Sequence, residues 1–336
     1  MRRQVVKARV AVVGLGKMGL LHATILSTVD GAELVALCDK SLFIRRFIKR
    51  IFPGIRVVAD MEELSAMGLD GVYVTTPEAS HFPIIKAIYN NGIARNVFVE
   101  KPLASSYAEA EELCKLTEKQ GGIDMVGYNR RFSVTFRKAK QILDEGVLRE
   151  PTFFEGYAYS SDYLGVTVSP GSASRGGVLS DLGCHAVDLA LWFFGQLEVE
   201  SANIESLVGS DTKDSVYFKV RTPGGLQGEF NISWCAENYR LPYIGLLVKG
   251  SNGTMKVDED KVELKTDDGS SFLWHKHDLG DDVSFFIGST DYRREDELFI
   301  RSILEGSHAE PSFQTASKVE EIIDQVNNSA RQRGTK

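Results

Sequence analysis

Cysteine is scarce in this chain: four in 336 residues, at Cys38, Cys114, Cys184 and Cys235. No two stand in a CxxC or other paired metal-ligand spacing, which argues against a zinc ribbon or a disulfide-stapled scaffold. Their apolar or helical surroundings suit reduced thiols, and the expected compartment is the cytoplasm. No apolar run approaches the ~18 residues of a membrane span. The stretch from Val10 to Leu15 is too short for the apolar core of a signal peptide and runs into glycines. Positive charge is also in deficit: 39 Lys and Arg against 46 Asp and Glu leave a net charge of −7. Neither nucleic acid nor an anionic membrane is therefore the expected partner. The basic cluster Arg45-Arg46-Phe47-Ile48-Lys49-Arg50 reads as the solvated face of a helix. Internal repeats and low-complexity linkers are missing too.

What is present is an ordinary globular composition, 43% hydrophobic and 25% charged, in a chain longer than one core usually sustains. Two domains are expected, over residues 1–129 and 130–336, with the C-terminal helix free to pack back on the first. The first domain alternates short β-rich runs with helical stretches, the pattern of an α/β Rossmann domain built on a parallel sheet. Continuously apolar runs such as Val10-Ala11-Val12-Val13 fit strands covered on both faces. After a bridging helix near Ser133–Glu145 the texture changes to strands with short connections, among them Pro223-Gly224-Gly225 and Ser251-Asn252-Gly253. These suit hairpins in an α+β domain with one large, open, mainly antiparallel sheet.

Gly14-Leu15-Gly16-Lys17-Met18-Gly19 directly follows the first strand and opens a helix. In that context GxGxxG is a dinucleotide fingerprint, with phosphates received by the free N–H groups of the helix start. Asp39 ends the second strand, where an acid accepts hydrogen bonds from an adenosine ribose and repels a 2′-phosphate. It favours NAD over NADP, while Lys40, Arg45 and Arg46 leave NADP open. As a plain helix cap, Asp39 competes with Ser41. Thr75, Thr76 and Pro77 border the same crevice, and His81 reads as a supporting group beside the cofactor. Glu100-Lys101-Pro102 puts a charged pair at the carboxyl end of a buried strand, where ligands bind in such sheets.

In the second domain, Gly176 to Asp188 leads into an apolar helix on which Asp181, His185 and Asp188 are spaced to share one face. Such a set either satisfies itself in the core or points into a cleft.

Taken in order, these elements resemble the glucose-fructose oxidoreductase / inositol dehydrogenase / MocA family over nearly the whole chain. Its members are NAD(P)-dependent oxidoreductases of sugars, cyclitols and nucleotide sugars, with a Rossmann domain and a sheet domain through which they form homo-dimers or tetramers. The resemblance carries the family's catalytic lysine, aspartate and histidine onto Lys101, Asp181 and His185. It matches Tyr128-Asn129-Arg130-Arg131-Phe132 to the segment lining the substrate cleft between the domains. Gly14, Gly16, Lys17, Met18, Asp39, Thr75, Thr76, Pro77, His81, Glu100 and Lys101 are then the expected cofactor residues. Substrate contacts fall to Lys101, Tyr128, Asn129, Arg130, Arg175, Asp181 and His185, while Arg131 and Asp188 read as support. Gly183 would leave room for nicotinamide or sugar, and no metal is expected. Two other readings compete: a redox-assisted glycosidase or lyase that recycles its NAD, and a non-enzymatic sensor of sugar or NAD.

Overall fold

The computed structural model of the protein describes residues 6–164, 176–208, 212–281, 283 and 289–334. The chain clusters into two units, Met1–Asn129 with Val283–Ser317, and Arg130–Asp282 with Lys318–Lys336.

The first unit holds strands β1 (Ala8–Val13), β2 (Ala32–Cys38), β3 (Arg56–Val58), β4 (Gly71–Val74), β5 (Asn96–Glu100) and β6 (Asp124–Gly127). All pair in parallel, in the order β3-β2-β1-β4-β5-β6. The order reverses between β1 and β4, so a ligand crevice opens at their carboxyl ends. Every residue of β4 and β5 is buried, as a sheet covered on both faces requires. Around the sheet run α1 (Lys17–Leu26), α2 (Leu42–Ile51), α3 (His81–Asn90) and α4 (Tyr107–Gln120). Helix α4 shows how local sequence sets these limits. Ser106 accepts from Glu109 N at its start, and Gly121 closes it at φ 63°.

The range 130–336 read for the second domain differs from this division in one stretch. Val283–Ser317 clusters with the first unit because α7 (Thr290–Glu305) lays Phe299 on Tyr73 of β4 and Phe98 of β5, with ring centroids 5.4 and 5.8 Å apart.

The second unit holds α5 (Val134–Asp144), α6 (Cys184–Phe194) and an eight-stranded sheet. Its strands are β7 (Pro151–Tyr159), β8 (Glu198–Glu205), β9 (Ser215–Arg221), β10 (Gln227–Ser233), β11 (Tyr243–Gly250), β12 (Gly253–Asp258), β13 (Lys261–Thr266) and β14 (Ser271–His275). The order is β14-β13-β12-β11-β7-β10-β9-β8, antiparallel throughout except for the β7–β10 pair. One face of β7 packs Phe154 on Phe194 of α6, with centroids 4.4 Å apart. Alternation turns Tyr157 and Tyr159 to the other face, where they stack with Tyr243 and Tyr239. Helix α8 (Phe313–Gly334) closes the chain.

Candidate active site

The turn after β1 is built so that only glycine serves. Gly14 sits at φ +92°, and a Cβ on Gly19 would stand 1.9 Å from the carbonyl oxygen of Gly14. Helix α1 can therefore start directly against the strand end, while the space above Gly16 is open to 4 Å. Among the described residues no side chain caps α1, and no acid lies in its first turn, so the N–H groups of that turn are left for a ligand.

These groups open on a cavity of about 700 Å³ lined by Gly14, Gly16, Lys17, Met18, Asp39, Thr75, Thr76 and Pro77. Thr75 Oγ1 donates to the carbonyl of Gly14 at 2.6 Å and fixes the turn against β4. Asp39 accepts from Leu15 N at 2.8 Å and from Ser41 N at 2.7 Å, so it ties the glycine turn to the start of α2 while facing the cavity. The cap of α2 is Ser41, whose Oγ accepts from Ile44 N. Asp60, Met61 and Glu62 also line the cavity and escaped the sequence reading. Their signal was available: they follow the next strand end, β3, on the same edge of the sheet.

Glu100, Lys101 and His81 do not line this cavity. The Glu100 carboxylate turns inward: Oε1 lies 3.0 Å from His22 Nε2, and Oε2 accepts from Lys101 N at 3.1 Å. The expectation that Glu100 touches cofactor gives way to an internal anchor, because its strand-end side chain points into the unit. Lys101 follows β5 across a cis peptide to Pro102 and is half-buried. His81 is 1% exposed, its ring nitrogens each 2.8 Å from a carbonyl oxygen, of Thr76 and of Pro102. Burial pushes its pKa down against those two carbonyls. His81 thus clasps the turns after β4 and β5 together. Tyr128 and Asn129, after β6, are buried.

In the second unit, Gly176 and Gly177 stand at φ +71° and +95° and launch a π-helical turn, Leu179–Gly183, that runs into α6. Asp181 belongs to that wider turn and His185 to the first turn of α6. Such π-helical turns recur at functional sites. Asp188 is fully buried and accepts from Arg131 Nε at 2.9 Å and from Nη2 at 2.6 Å, a bidentate pair that holds the start of this unit to α6. Arg130, expected at the substrate, pairs with Glu259 at 2.5 Å. A Cβ on Gly183 would stand 2.5 Å from Ile232 Cδ1, so this glycine allows close packing on β10. Arg175 lies outside the described residues.

A parallel sheet in this order, with a glycine turn on its first crossover and an acid after β2, defines a dinucleotide-binding Rossmann unit, here followed in one chain by a large mixed sheet. The chain belongs to the GFO/IDH/MocA oxidoreductase family: residues 8–128 match its NAD-binding Rossmann-fold model and 136–256 its C-terminal domain model. It is 30% identical to scyllo-inositol 2-dehydrogenase (NAD(+)) of Bacillus subtilis over 192 residues, 56% of this chain and 54% of that one. That match therefore spans about half the length of the relative. Over 323 residues, 89% of each chain, it is 29% identical to myo-inositol 2-dehydrogenase of Thermotoga maritima. In fold it is similar to levoglucosan dehydrogenase solved with NADH, at a TM-score of 0.87, 20% identity and 97% coverage of each chain. No helix among the described residues is long and apolar enough to cross a membrane.

Proposed function

We propose that the protein oxidises a secondary alcohol of a sugar, a cyclitol or a nucleotide sugar. When bound, NAD supplies the hydride acceptor. The observation that carries this reading is the open glycine cradle at the mouth of the Asp39 cavity, next to a strand end that presents a lysine. The N–H groups of Gly16 to Met18 would receive the pyrophosphate, and Asp39 the adenosine ribose. Asp60 and Glu62 add negative charge beside Asp39, which supports NAD over NADP. The inositol dehydrogenases among the relatives support a polyol substrate.

Removing hydride from a carbinol carbon requires that its hydroxyl lose a proton. In this reading His185 takes that proton, since an imidazole titrates close to neutral pH. Lys101 donates a hydrogen bond to the same oxygen and stabilises its developing negative charge. Asp181 orients the hydroxyl or the imidazole. The exposed face of the mixed sheet, with Tyr217, Lys219 and Asn231 open to solvent, is the surface through which a second copy would join. Four free, dispersed thiols accord with a cytoplasmic enzyme.

The test is a thermal-shift screen with NAD, NADP and NADH, then with inositols, sugars and nucleotide sugars added to the cofactor complex. A second shift with a polyol, together with net NADH formation, supports the reading. Polyol turnover without net NADH would instead point to a lyase or glycosidase that recycles its cofactor.

A further inference from the structure

Directly behind the strand end that carries Lys101, the first unit buries four ionisable side chains together. His22 comes from α1, Glu100 from β5, and Glu295 and Asp296 from α7, with exposures of 0%, 7%, 0% and 0%. His22 Nδ1 lies 2.8 Å from Asp296 Oδ1, and its Nε2 lies 3.0 Å from Glu100 Oε1. The second oxygen of Glu100 accepts from the main-chain nitrogen of Lys101 at 3.1 Å. A continuous chain of contacts thus runs from α7 through α1 to the lysine.

Such an arrangement is expensive, because an apolar cluster of the same volume would stabilise the core at less cost. The sheet also makes room for it. Gly127 of β6 is the registered neighbour of Glu100, and a Cβ there would crowd Glu100 Oε2 at 3.3 Å. With a carboxyl oxygen on each side, both ring nitrogens of His22 have a hydrogen-bonding partner. Although burial opposes the charge, Asp296 and Glu100 hold the imidazole pKa well above its ordinary value. The ring is packed tightly, 5.1 Å from Phe98 and 5.7 Å from Tyr73 between centroids. No group of three or more His, Cys, Asp or Glu among the described residues is placed to hold a metal ion.

We propose that His22 and Asp296 are positioning residues for Lys101. Asp296 orients the imidazole, the imidazole fixes the Glu100 carboxylate, and that carboxylate holds the Lys101 main chain so that the ammonium is presented at the end of β5. The same ring sits on α1, whose first turn borders the NAD cavity, so it couples the cofactor helix to the lysine strand. The proposal rests on the reading in which Lys101 meets the substrate hydroxyl.

The experiment compares His22→Asn with His22→Gln. A glutamine amide reaches roughly where Nε2 stands and keeps a donor for Glu100; an asparagine amide reaches only the Nδ1 side. Two readouts are taken beside Tm and NAD affinity: kcat with a polyol, and the rate at which an amine-acylating reagent labels Lys101, followed by peptide mass spectrometry. His22→Asn is expected to lower kcat about tenfold and to change Lys101 labelling at least about threefold, with NAD affinity nearly unchanged. His22→Gln should stay within about threefold of wild type in kcat and restore the labelling rate. Equal labelling of Lys101 in all three proteins would overturn the proposal, as would a kcat loss that follows Tm alike in both variants. Should His22→Asn not fold, Glu100→Gln offers one acceptor oxygen where two are needed and must change the labelling in the same way. If the wild type transfers no hydride from any polyol, the functional reading fails, while the labelling comparison still decides whether His22 holds Lys101.

Discussion

The two units hold their candidate reactive side chains by opposite means. Lys101 stands at a strand end whose rear is anchored by buried charge: Glu100, His22 and Asp296 in contact, with Glu295 beside them. His185 stands at a helix start whose entry is set by shape, with the buried Arg131–Asp188 pair bracing the same helix one turn on. Two left-handed glycines and a π-helical turn set the entry, and Gly183 seats the turn on Ile232. Charge is directional and aims a group precisely, but its hold depends on protonation. Packing has no such dependence on pH, yet it tolerates almost no added volume. Each unit should therefore fail under a perturbation that the other withstands.

The largest effects come from removing the held groups themselves. Lys101→Ala and His185→Ala are each expected to lower kcat by about 10²-fold or more, with NAD affinity by thermal shift nearly unchanged. Wild-type turnover in either variant would remove that residue from the reaction. A loss of NAD binding in parallel would recast it as a cofactor contact.

The next effect separates the units by pH. Burial, reinforced by the neighbouring Glu100 carboxylate, raises the Glu295 pKa well above the ordinary range, and neither of its carboxyl oxygens has a hydrogen-bond partner among the described residues. The groups around it are Glu100, His22, Asp296 and Asp291. The folded state thus keeps a proton that the unfolded chain releases above the usual glutamate pKa. Stability should fall by about 1.4 kcal/mol per pH unit from that point until the folded pKa is passed. His22 acts with the same sign: its contribution is full below the ordinary histidine pKa and is lost as pH rises through its raised folded value. Glu295→Gln removes the glutamate slope, so its stability relative to wild type must climb as pH rises from 5 to 8 in urea unfolding. Parallel curves for the two proteins would mean that Glu295 is ionised in the fold.

The contrast between the units also explains what the sequence showed and what it hid. The glycine turn, Asp39 and the strand-end lysine were legible because each sits at a fixed place on a β-α-β unit, where backbone geometry leaves little choice of residue. The six-stranded sheet followed from the alternation of apolar runs and helices. Strand β13 escaped although Val262 and Leu264 alternate with Lys261, Glu263 and Lys265 as a half-buried strand does, because so short an alternation with two apolar residues is a weak signal. The buried acids of α7 escaped for a stronger reason. Asp291, Glu295 and Asp296 look like the wet side of a helix, and the imidazole that pairs with Asp296 lies 274 residues away. No local period can report such a partner. The π-helical turn was hidden because an α-helix and a π turn are written with the same residues. Its only trace was Gly176-Gly177, a pair that needs a left-handed backbone.

The smallest expected effect falls on the unit held by packing. In Gly183→Ala the new methyl would meet Ile232 Cδ1 at 2.5 Å and Leu179 Cδ1 at 3.0 Å, both at the far ends of side chains that can turn aside. The strain is partly relieved, so the cost should be about 1–2 kcal/mol in urea unfolding. Because no ionisable group takes part, the loss should be the same at pH 5 and pH 8, unlike that of the Glu295 pair. Adding Ile232→Val removes the nearest atom and should recover much of the stability, since residues in contact couple. The π turn would then regain its seat on β10, and any kcat lost in Gly183→Ala should return with it. If stability returns and kcat does not, the methyl obstructs ligand directly, and the glycine serves approach as well as packing.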